Sequence, residues 1–241
     1  MQCERLKHGA AAGTVAMPGA ATMTETYPAP LDDAALAASW DAAWSALGRP
    51  APAGLQVELL NAWAEPHRHY HDQRHLRECL ALWARWCCLS VRAGEVGVAL
   101  WFDDAIYDAQ AGSNELNSAA WAARSLSRGG LASDVAQRVH DLVMATQHDA
   151  PDALASGADA QLLVDIDLSI LGSPPERFER YDQDVRKEYA WVPGFRYRDQ
   201  RAQVLQGFLD RPRLYHGEAA VALLEGQARI NLAAALSRLA Q

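Results

Sequence analysis

Val96-Gly97-Val98-Ala99-Leu100-Trp101-Phe102 is an unbroken apolar run that ends directly in Asp103-Asp104, and apolar character resumes through Ala105, Ile106 and Tyr107. Such a run reads as a buried segment. Two carboxylates at its end are unfavourable there unless a cation meets them, because an unpaired buried carboxylate costs several kcal/mol or shifts its pKa until it is neutral. A divalent metal is a natural partner. The plainer alternative makes the pair caps of a following turn, where Asp is common. Upstream stands His71-Asp72-Gln73-Arg74-His75, and downstream Asp165-Ile166-Asp167 lies inside a second apolar run. Histidines, a carboxylate pair and a distant Asp suggest a metal site assembled from several segments.

Around this stretch the chain reads as helix after helix. Leu36, Trp40, Ala43, Trp44 and Leu47 follow helical spacing, with Asp32 and Asp33 as caps and Pro50-Ala51-Pro52 as the stop. Leu55 to Ala64 forms a second helix, and Leu76, Cys79, Leu80, Trp83 and Cys87 mark a third. Further helices are expected over Val96 to Ile106, Asn114 to Leu126, from Ser133, Asp159 to Leu171, Glu176 to Trp191, Phe195 to Leu209 and Gly217 to Leu239. No segment shows period-two alternation bounded by hairpin turns. The expected fold is an all-α single domain of about ten helices over residues 31–241. Residues 1–30, rich in Ala, Gly, Thr and Pro, are expected to be a disordered tail, or a misassigned start with Met23 the true beginning.

Composition narrows the partners. The net charge is −8, and no basic stretch interleaves with aromatics, so binding to a nucleic-acid backbone is not expected. A phosphorylated small molecule stays compatible, since a bound metal reverses the local field. No window reaches the roughly 18 consecutive apolar residues of a membrane span. Cys3, Cys79, Cys87 and Cys88 show no C-x-x-C spacing, which fits buried thiols in a reducing, cytoplasmic compartment.

Each polar residue of interest has a plain reading beside the functional one. His71 and His75 share a face if their helix begins by residue 71; otherwise one is a cap or a core hydrogen-bond partner. Asp165 and Asp167 point about 200° apart on a helix, so one faces the site and the other needs an Arg or a helix N-terminus. His148, at a helix end, is either a dipole partner or a ligand or substrate contact. Glu115 lies in a first turn, where a carboxylate is favoured anyway. Arg68, Arg186 and Arg201 are phosphate contacts or structural ion pairs.

Taken together, these segments resemble the HD-domain superfamily of metal-dependent phosphohydrolases, and more narrowly a group of predicted HD phosphohydrolases of about this length. The resemblance runs over roughly residues 35–240. It rests on Arg68-His69-Tyr70-His71 through His75, Ala99 to Asp108 with its Asp pair, Asn114-Glu115, Thr146 with His148, Asp165 to Gly172, Arg186-Lys187-Glu188-Tyr189 and Arg201. Tyr70-His71 to His75 is also similar to the Tyr-His-Asn-x-x-His segment of cyclic-nucleotide phosphodiesterases. The resemblance implies His75, Asp104 and Asp167 as metal ligands, with Asp165 as second choice for the last. It implies His71 as general acid, Glu115 as a base or water-orienting group, and a phosphorylated substrate, a nucleotide being one such molecule.

At one position the chain departs from this pattern. Asp103 stands where the superfamily has the His of its His-Asp doublet, which turns two His and two Asp into one His and three Asp. That harder set favours manganese or magnesium over iron or zinc. The alternative is a catalytically degenerate HD domain that binds a nucleotide or a protein partner without turnover.

Overall fold

The computed structural model describes residues 26–147 and 157–240. The expected tail falls almost wholly outside these residues, as does His148. Of the stretch up to residue 30, the side chain of Tyr27 packs against the core, so the helical unit takes in these last residues.

The described residues form helices and connecting turns with no strand, as the apolar spacing implies. α1 (Asp33–Ala46) is capped by Asp32, whose carboxylate accepts the N–H of Ala35 at 2.8 Å. α2 spans Leu55–Ala62 and α3 Gln73–Trp86. α4 (Ala93–Phe102) is buried along its whole length and packs against α1, α3, α5 (Asn114–Arg128), α6 (Ser133–Met144) and α7 (Ala158–Asp167). The most apolar run of the chain is therefore the hub of the fold. Close approach to α3 is possible because residue 97 is glycine: a Cβ there would lie 2.5 Å from the Trp83 ring.

α4 stops at Phe102, earlier than the apolar pattern suggests, and Asp103 to Ala105 form a turn. Arg68 supplies the reason. Its guanidinium donates to the carbonyls of Asp104 (2.6 Å) and Ala105 (3.0 Å), partners that a continuing helix would not leave free. α7 likewise ends at Asp167 and tightens into a 3₁₀ turn, Leu168–Gly172.

α8 (Pro175–Glu188) opens with proline at its first position, where the missing N–H costs nothing. α9 follows at Gly194–Leu209. α10 is a continuous rod made of Glu218–Ala220, a π-type turn Val221–Glu225 and Gly226–Leu239. Its π turn presses on the chain just after Asp167: a Cβ on Gly172 would meet Leu224 Cβ at 2.6 Å and Leu224 O at 2.7 Å. Gly172→Ala should therefore destabilise the protein by about 1–3 kcal/mol, the usual cost of overpacking. Urea unfolding checks this, and an unchanged midpoint would refute the close packing. No helix among the described residues is long and apolar enough to cross a membrane.

Candidate metal centre

His75 is set in place by its own helix start. Asp72 caps α3, accepting the N–H groups of Arg74 (2.8 Å) and His75 (3.3 Å), so the imidazole projects from the first turn. It is 2% exposed. Its Nε2 lies 3.0 Å from Asp167 Oδ1 and 3.9 Å from Asp104 Oδ2, while Nδ1 lies 3.1 Å from the Tyr70 hydroxyl. In the neutral ring a proton on Nε2, donated to Asp167, lets Nδ1 accept from Tyr70; in the charged ring both nitrogens donate. Cys79, one turn on, brings its sulfur to 3.6 Å from Nδ1.

Asp103 and Asp104 come from the end of α4, and Asp167 from the last turn of α7. One oxygen from each of these three carboxylates lies within 4.8 Å of the others, and one donor atom from each of His75, Cys79 and Asp167 meets the same limit. Asp167 belongs to both groups. The structure thus contains a buried His/Cys/Asp group that can hold a metal ion, with a carboxylate cluster beside it.

Electrostatics favour a cation here. Burial, then Asp167 and Asp104, push the Asp103 carboxyl well above the usual range, against opposing contributions from Thr146 and His75. Burial disfavours charge on His75, yet Cys79 and Asp167 together hold its pKa well above the ordinary value. Burial lifts the Cys79 thiol to about 11. The thiol is therefore neutral near pH 7, and the attraction that persists there is that of Asp167.

The other expected residues divide into those at the cavity and those away from it. Asp103, Asp104, Asp167, His71, Glu115 and Arg201 all line one cavity of about 850 Å³. His71 precedes α3 and does not share a helical face with His75, but their ring centroids are still 6.1 Å apart. Asp165 is turned away, as the 200° offset requires. Its carboxylate accepts the N–H groups of His216 (2.8 Å) and Gly217 (2.7 Å), at the start of α10, and pairs with the His216 ring at 2.9 Å. It is a structural anchor, not a ligand of the cluster.

Arg68 and Arg186 are also corrected from phosphate contacts to internal caps. Beyond its bonds to the turn after α4, Arg68 donates to His71 O at 3.0 Å and to Glu65 at 3.1 Å. Arg186 donates to the carbonyls of Tyr189 and Val192 and lies over the Tyr197 ring. Arg201 lines the cavity but is held by Asp182 at 3.0 Å.

Sequence reading did not single out Glu188 or Cys79. Glu188 Oε1 accepts the N–H groups of His69, Tyr70 and His71 at 2.7–3.0 Å. Its Oε2 accepts from the Tyr107 hydroxyl at 2.9 Å and pairs with His71 Nδ1 at 2.8 Å. Burial opposes its charge, but the bonds from His71 and the backbone win and lower its pKa to about 2. The His71 ring is further clamped by stacking on Tyr107, with centroids 4.1 Å apart. Cys79 was visible in principle, four residues after His75 on the same helix face. The chain matches no family model, no curated protein and no solved structure.

Proposed function

We propose that this protein is a metal-dependent phosphohydrolase acting on a small phosphorylated substrate, of which a nucleotide is one kind. The observation that carries this reading is the convergence of His75, Asp103, Asp104 and Asp167, from three separate helices, beside one cavity. These four would hold a divalent cation, which supplies a Lewis acid for the attacking water and countercharge for phosphate oxygens. The oxygen-rich set fits manganese or magnesium better than iron or zinc. Cys79 would have to lose its proton to join, which its raised pKa opposes.

The chain's own groups supply the rest. Glu188 accepts the His71 Nδ1–H and fixes the ring; in its doubly protonated form His71 would also carry a proton on Nε2, to be delivered to a leaving oxygen. Glu115 lines the same cavity and is placed to orient water or accept its proton.

A second reading, ligand binding without turnover, draws on Asp103 itself, a carboxylate where the resembled superfamily has an imidazole. Asp103→His separates the two. The change restores a two-His, two-Asp set and removes one of three mutually repelling carboxylates. It should tighten manganese, iron or zinc binding by about tenfold or more. Calorimetric metal titration, with turnover on a panel of phosphate esters, provides the check. Turnover by the natural chain supports hydrolysis, whereas turnover only by Asp103→His supports the binding reading. Failure of both forms to bind any divalent metal sinks the metal-dependent proposal.

A further inference from the structure

The cavity is longer than the carboxylate cluster requires. One wall is a single face of α9: Tyr197, Gln200, Arg201, Val204 and Phe208 all line it, and Arg211 continues the line just past the helix end. These positions recur at three- and four-residue steps, the spacing of one helical face. At a rise of ~1.5 Å per residue, Tyr197 to Phe208 alone is about 16 Å long. The arm is anchored beside the cluster through Arg201. Its guanidinium lies over the Tyr181 ring at 5.1 Å, that ring is 4.5 Å from the Tyr70 ring, and Tyr70 meets His75. Arg211 is on the order of 15 Å further along the helix axis than Arg201.

The two arginines differ in one respect. Arg201 is neutralised by Asp182. Arg211, among the described residues, makes no ion pair and no side-chain hydrogen bond; its guanidinium lies over the Phe208 ring at 4.6 Å. Burial lowers its pKa with no carboxylate opposing the change. A part-buried guanidinium, stacked on an aromatic ring and facing a cavity without a counter-ion, offers its planar fork to an oxyanion.

We propose that Arg211 is a second anion subsite of this cavity, and that the occupant is an elongated molecule carrying two oxyanion groups. A phosphate would sit at the His75–Asp167 end and a second phosphate or a carboxylate on Arg211, with the body along α9. The phosphate end rests on the phosphohydrolase reading; the Arg211 end does not. Gly207 offers an independent handle. It lines the arm, and a Cβ there would meet nothing within 4 Å, so the position has open space for a side chain at the cavity wall.

Alkanediol bisphosphates of increasing chain length, compared with the matching alkyl monophosphates, serve as a ruler. Binding is measured by calorimetry with magnesium present, alongside a separate titration of magnesium alone. In the natural chain, one length of bisphosphate should bind about tenfold tighter than its monophosphate, the gain from one charge-assisted anion contact. Arg211→Gln should erase that advantage and leave monophosphate affinity within about twofold. Gly207→Leu should weaken the long probes and spare methyl phosphate. If Arg211→Gln binds every bisphosphate as the natural chain does, or if the natural chain shows no length preference or no binding, the subsite is refuted. If magnesium alone fails to bind while Arg211-dependent binding persists, the phosphohydrolase reading falls and the anion subsite stands.

Discussion

Asp167→Ala should abolish metal binding and, with it, turnover. Asp167 is the carboxylate shared by the His75–Cys79 group and the Asp103–Asp104 group, so among the described residues its loss breaks both three-donor groups at once. The metal-free protein should still fold: the variant loses the 3.0 Å His75–Asp167 bond but also relieves a repulsion that raises the Asp103 pKa. A divalent ion at one hundred times its Kd stabilises a protein by about 2.7 kcal/mol. That stabilisation, read as a rise in Tm with added manganese, should be present in the natural chain and absent in Asp167→Ala. Activity should fall by roughly 10³-fold or more, in keeping with loss of a metal that activates water. Asp165→Ala is the control. It should leave metal affinity unchanged and lower stability instead, since Asp165 ties α7 to the start of α10. A manganese-dependent Tm rise that survives in Asp167→Ala would show that the cluster is not the metal centre.

The helical class and the sharing of one cavity by distant acidic residues were legible because they depend on local periodicity and on the cost of burying charge. Val96 to Phe102 reads as a buried element, and the Asp pair behind it reads either as a cation site or as part of a following turn; the structure places the pair in a turn whose carboxylates also cluster with Asp167. The offset between Asp165 and Asp167 follows from helix geometry, and the structure gives Asp165 a helix N-terminus as its partner. Other features were not legible, because they are decided by contacts remote in sequence. The end of α4 at Phe102 depends on Arg68, whose bonds cross 36 and 37 residues. Arg68 and Arg186 looked like phosphate ligands because sequence shows a guanidinium but not the carbonyls that occupy it. Nothing local marks Glu188 among 30 acidic residues, since the partners that define it lie 117 to 119 residues away along the chain, apart from Tyr107 at 81.

Glu188 carries the second large effect, on stability and on proton transfer together. Its carboxylate collects three backbone N–H groups, a tyrosine hydroxyl and an imidazole, with its side chain fully buried. Glu188→Ala should cost roughly 3–5 kcal/mol, because those donors are left in the interior without an acceptor. The natural chain should also show the linkage of a lowered carboxylate pKa. With a folded value of about 2 against an ordinary 4.5, Glu188 contributes stability that is fully present above pH 4.5 and is lost as pH falls toward 2. That contribution is about 3 kcal/mol. Glu188→Gln should flatten this part of the acid unfolding curve, because an amide does not titrate. The same variant tests the positioning of His71. An amide NH₂ facing Nδ1 donates where the carboxylate accepted, so the doubly protonated ring that would deliver a proton from Nε2 loses both its Nδ1–H acceptor and its countercharge. Turnover should fall by about 10²-fold or more and its pH profile should shift, while metal affinity stays unchanged. Equal turnover and an identical profile in Glu188→Gln would show that the His71–Glu188 pair is structural only and that another group delivers the proton.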